Sequence, residues 1–94
     1  MLKKWGSYKV IKKGNGYKVK ILTVKPHSAI SIQRHRHRAE FWICLQGSLL
    51  TGVRYIWVNQ WHQLRNDTDW PLTVIEVQIG RICQESDIER KKSK

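Results

Sequence analysis

Between Tyr17 and Val24 apolar and polar residues take turns, Tyr17-Lys18-Val19-Lys20-Ile21-Leu22-Thr23-Val24, at the two-residue period of a strand with one face buried. Runs rich in β-branched and aromatic residues at Phe41 to Leu45, Val53 to Val58 and Leu72 to Ile79 predict further strands. Chain breakers separate them. Gly14-Asn15-Gly16 is a hairpin signal, Pro26 ends a strand, Gly47 and Gly52 mark turns, and Asn66-Asp67-Thr68-Asp69 before Trp70-Pro71 reads as a loop. Only the tail departs from this pattern. Ser86-Asp87-Ile88-Glu89-Arg90 places a capping serine before acids and predicts a short helix. Short strands joined by turns make an all-β sandwich or barrel, and barrels hold ligands at the mouth.

Ninety-four residues suffice for one core and bury only a little over half of the unfolded chain's surface. The expectation is a single domain spanning 1–94, with its core over about 5–82 and basic ends at Lys3-Lys4 and Arg90-Lys91-Lys92-Lys94. Lys and Arg number 18 against 7 acidic residues, a formal charge of +11 that attracts phosphates and other anions. No DNA- or RNA-binding motif accompanies that charge, so nucleic acid ranks last among its partners. No apolar run approaches the roughly 20 residues that cross a bilayer. Cys44 and Cys83 are read as reduced core thiols of a cytoplasmic protein, because no secretory signal precedes the chain. Trp42 belongs in the core; Trp57, Trp61 and Trp70 fill space there or equally pack a subunit interface, and Trp61 also suits a sugar.

Chemistry concentrates in Gln33-Arg34-His35-Arg36-His37-Arg38-Ala39-Glu40, which holds two imidazoles and a carboxylate. In a continuous strand His35 and His37 share a face and Arg36 and Arg38 point away. Glu40 then has the wrong parity, which a bulge at Arg38-Ala39 would correct. His62 completes the set from a neighbouring strand. Three imidazoles and a carboxylate suit a divalent ion, zinc first, with Mn, Fe, Co or Ni as alternatives.

These residues also carry a resemblance. His35-x-His37-x-x-Glu40 followed by Gly47 resembles the first cupin motif, and His62-x-x-x-Asn66 resembles the end of the second. Trp5-Gly6-Ser7-Tyr8, Val24-Lys25-Pro26, His37-Arg38-Ala39-Glu40 and Ile75-Glu76-Val77-Gln78-x-Gly80 are similar to the cupin domain of type II mannose-6-phosphate isomerases. The resemblance implies a cupin-like jelly-roll barrel with His35, His37, Glu40 and His62 on a divalent metal, interconverting mannose 6-phosphate and fructose 6-phosphate. Only fourteen residues separate Gly47 from His62, where the family places another strand or hairpin, so the barrel is expected to be shortened by about one hairpin. Trp57 and Asn59 stand where the family has Pro and Gly. Arg90, Lys18 and Lys20 are the candidates to hold a sugar phosphate. No general base is evident in the sequence, and the loop acids Asp67 and Asp69 are the carboxylates it offers for the site. The alternative is a non-catalytic metal-binding cupin that binds a sugar or sugar phosphate. A shortened barrel exposes a strand edge, and a second subunit is expected to cover it, making a homodimer.

Overall fold

A computed structural model of the chain describes residues 1–47, 52–84 and 86–91. The described residues form strands and no helix. The main sheet has six strands, hydrogen-bonded in the order β1 (Leu2–Lys3), β2 (Gly6–Gly14), β3 (Tyr17–Val24), β9 (Leu72–Gly80), β6 (Arg38–Gln46) and β7 (Val53–Ile56), antiparallel throughout. Short strands make the remainder: β4 (Ser28–Ala29) pairs with β8 (Arg65–Asn66), and β5 (Ile32–Arg34) pairs with β10 (Glu89–Lys91). A single bridge between Gln33 and His62 ties these pieces together. The result is a small jelly-roll-like all-β domain.

Turn chemistry places the strands as the sequence predicts at the first hairpin, where Gly16 takes φ 84 and Gly14 pairs with Tyr17. The turn expected after Gly47 runs into residues 48–51, which lie outside the described residues, as do Lys92 and Lys94 of the basic end. The predicted helix over Ser86 to Arg90 does not form. Glu89, Arg90 and Lys91 instead pair with Arg34, Gln33 and Ile32. Five residues are too few to repay helix nucleation, whereas the edge of β5 offers them a ready ladder.

The core joins Val24, Trp42, Ile56, Leu72 and Val74 of the sheet to Leu64, with Trp5, Ile30 and Cys44 packed against them. At about 25 cal/mol per Å² this apolar burial is the main stabilising term. The sheet register then makes the inward face change character along its length. Leu22, Val74 and Cys44 form an apolar row, but the next rows are Lys20–Glu76–Trp42 and Lys18–Gln78–Glu40. One end of the barrel is therefore oily and the other polar. On the outer face Phe41, Tyr55 and Trp57 stack edge to face at 5.1 and 4.6 Å between ring centres. Ile43, Val53, Trp57 and Ile79 there are 38, 47, 67 and 50% exposed, an apolar surface left to solvent.

Candidate metal centre

Three side chains meet at the polar end. His35 follows β5, Glu40 lies in β6, and His62 sits in the connection from β7 to β8, held by its bridge to Gln33. One donor atom from each lies within 4.8 Å of the others, and all three residues are buried. His35 Nε2 is 3.1 Å from Glu40 Oε2, and His62 Nε2 is 3.6 Å from Glu40 Oε1. Ligand atoms about 2 Å from one ion stand roughly 3 to 3.5 Å apart, so the spacing fits.

The hydrogen bonds behind the rings test that fit. His35 Nδ1 lies 2.6 Å from the Asp87 carbonyl, and His62 Nδ1 lies 3.0 Å from the Gln60 carbonyl. A carbonyl only accepts, so each ring carries its proton on Nδ1 and turns Nε2 toward Glu40. Burial lowers the pKa of His62, only partly opposed by the Gln60 bond and the Glu40 charge, and keeps the ring neutral. Burial alone would raise Glu40, but contacts with His35 and Glu76 and the charges of His35 and Arg38 hold it well below the usual carboxylate range. A neutral His62 lone pair thus faces an ionised carboxylate inside the protein. A cation between them resolves that repulsion, and a ring braced by a carbonyl on its far nitrogen is the arrangement of a metal ligand.

His37 stands apart from this group, contrary to expectation. Its ring is exposed, with Nδ1 3.2 Å from Asp87 Oδ1. A continuous strand would put His37 beside His35, but the chain bends at Arg36-His37, between β5 and β6, rather than at Arg38-Ala39. Asp87 fixes that bend: its carboxylate accepts the backbone N–H of Arg36 and of His37, both at 3.1 Å. The bend turns Arg38 inward instead. Its Nε donates to Glu40 Oε2 at 3.1 Å, Nη1 donates to the Gln84 carbonyl at 2.9 Å, and Nη2 lies 3.3 Å from His35 Nε2.

Above the group opens a cavity of about 200 Å³. Lys20 and Arg90 line it, as the sequence suggests; Lys18, beside Gln78 in the sheet, does not. Lys3 lines it too and was missed. Trp5 and Trp42 wall it, whereas Trp61 lies outside, with Arg34 over its ring at 4.6 Å. Asp67 and Asp69 bind Arg65 and His27 on an exposed loop and are not at the cavity. The carboxyl group that does line it is Glu76, pushed well above the usual range first by burial and then by the Glu40 charge beside it. Its only signal was a polar pair, Glu76 and Gln78, in the inward parity of a strand that starts with buried Leu72 and Val74. Both cysteines are free, and burial raises the Cys83 thiol.

A small jelly-roll barrel with a buried His, Glu, His group under an open cavity defines the cupin class. A solved cupin-2 domain from Rhodospirillum rubrum superposes with a TM-score of 0.67 over 90% of this chain and 61% of that one, at 23% identity. The sequence goes further. The family model for the mannose-6-phosphate isomerase C-terminal domain matches residues 1–53 and 49–93, and the chain belongs to that family. The two matched pieces meet in the interval from Gly47 to His62, where the sequence reads as short of a hairpin. The alginate biosynthesis protein AlgA of Pseudomonas putida is 43% identical over 98 residues, covering 92% of this chain and 20% of that protein. The mannose-1-phosphate guanylyltransferase ManC of Salmonella typhimurium is 36% identical, with the same coverage. The chain spans about one fifth of the length of these curated relatives.

Proposed function

We propose that the chain is a metal-dependent sugar-phosphate isomerase interconverting mannose 6-phosphate and fructose 6-phosphate. The observation that carries this reading is the pair of imidazoles that turn Nε2 toward one carboxylate beneath a cavity edged with cations. His35, Glu40 and His62 would hold the ion, zinc by preference for two imidazoles and a carboxylate. The metal supplies a positive centre that polarises the sugar's oxygens and stabilises negative charge as it develops.

The chain's own residues do the rest. Arg90 and Lys3 at the mouth, with Lys20 deeper, bind the phosphate dianion. Trp5 and Trp42 exclude water from one wall. Glu76 carries the proton between the two carbons, since it is the carboxyl among the described lining residues and Lys20 and Gln78 fix its position. The reaction belongs in the cytoplasm, where Cys44 and Cys83 stay reduced. The apolar outer face around Phe41, Tyr55 and Trp57 packs against a second copy, making a homodimer.

The test is turnover of mannose 6-phosphate by the zinc-loaded protein beside Glu76→Gln. We expect measurable isomerisation that falls by about a hundredfold or more in the variant while bound zinc is unchanged. A second reading, a cupin that binds metal and sugar phosphate without turning it over, is favoured by the break in the family match between Gly47 and His62. Zinc and mannose 6-phosphate binding without turnover would establish that second reading in place of the first.

A further inference from the structure

His35 and Glu40 do not line the cavity, but Arg38 does. Its guanidinium, on a residue 4% exposed, lies against both of them. It donates to Glu40 Oε2 and the Gln84 carbonyl, and its Nη2 lies 3.3 Å from His35 Nε2. Two of those partners are donor atoms of the proposed metal centre. A guanidinium packed against His35 Nε2 and bonded to Glu40 Oε2 stands where an ion would have to reach both atoms, and its charge beside an ion is repelled. The other side of Arg38 is the cavity, where Lys3, Lys20 and Arg90 already face the space.

We propose that Arg38 is a positioning residue shared between two sites: it covers His35 and Glu40 when no metal is bound and swings into the cavity to complete an anion seat when metal is bound. The inference rests on His35, Glu40 and His62 holding the ion. Its consequence is reciprocal: metal raises anion affinity, and an anion raises metal affinity by the same factor. The anion it recognises is a tetrahedral oxyanion of the phosphate-ester type, since a planar guanidinium pairs two oxygens at once. An arriving sugar phosphate then meets a completed seat only on the metal-loaded protein, which guards the unloaded site from idle occupation.

Zinc affinity is measured by chelator competition at constant ionic strength, with and without sulfate, which stands in for a phosphate ester. We expect sulfate to tighten zinc binding by about fivefold or more in the wild type, within the usual range of coupling. Arg38→Gln should bind zinc about tenfold more tightly without sulfate and lose the sulfate effect. Arg38→Lys keeps the charge but not the fork and should retain less than half of that effect. A wild-type readout needs no variant: zinc should shift the Arg38 Nε–H resonance and remove its protection from exchange. A sulfate effect that persists in Arg38→Gln, no sulfate effect in the wild type, or an Nε–H resonance that ignores zinc would overturn the shared role. Absence of zinc binding by the wild type overturns the metal centre itself, and the shared role with it.

Discussion

Asp87 decides which imidazole of His35-x-His37 turns inward. Its carbonyl holds the His35 ring and its carboxylate pins the backbone bend that sends His37 out. Removing that carboxylate in Asp87→Ala leaves two N–H groups without their acceptor, and we expect zinc affinity to fall about tenfold, measured by competition. Burial would raise the Asp87 pKa, but those N–H groups and His37 outweigh it and lower the folded value below 3.8. A depressed carboxylate stabilises the fold above its unfolded pKa, and that stability is lost as pH falls through the folded value. Glu76 has the opposite sign. Its folded pKa is raised by burial and by Glu40, so the fold is favoured while Glu76 is protonated and loses stability as pH rises above 4.5 toward the raised value. In metal-free protein, denaturant titrations of Glu76→Gln should therefore show a shallower decline over that rise than the wild type; an identical slope would contradict the assignment. Of the four residues that motif spacing put on a metal, His35, Glu40 and His62 come together in the fold and His37 does not. Arg38 and Asp87 were not legible in the sequence. One depends on where a bend falls, and the other acts on residues about fifty positions away.

The strands are the part that the chain states most openly. Alternation at Tyr17 to Val24 and the runs at Phe41 and Leu72 appear as β3, β6 and β9. Period two is a property of local sequence, so it survives reading without a structure. The tail was misread because Ser86 and its acids satisfy a capping pattern locally, while pairing of Glu89 with Arg34 across the fold decides the outcome. Between β9 and β6, Gly80 opposes Arg38 with φ 157. A methyl there would stand 2.1 Å from the His37 carbonyl oxygen and 2.7 Å from the Arg38 Cα, both backbone. Gly80→Ala should cost about 3 kcal/mol in chemical denaturation and weaken zinc binding, since the displaced segment carries His35 and Arg38. A variant with wild-type stability and zinc affinity would show that the bend tolerates movement.

At the scale of the whole molecule, the sequence conveys a basic all-β chain with cupin motifs, and the family match agrees with that class. It does not show which apolar residues face out, because Phe41, Tyr55 and Trp57 fit a core as well as a surface until the register is known. Two copies joined on that face would have twice the chain mass by light scattering, and Trp57→Glu should return the protein to a monomer with its metal intact. The central claim is the identity of the donors. It is tested most directly by measuring zinc per chain by elemental analysis in the wild type, His62→Ala and His37→Ala after equal loading and dialysis. One zinc in the wild type, near none in His62→Ala and close to one in His37→Ala is the expected result. Zinc lost from His37→Ala but retained by His62→Ala would contradict the site described.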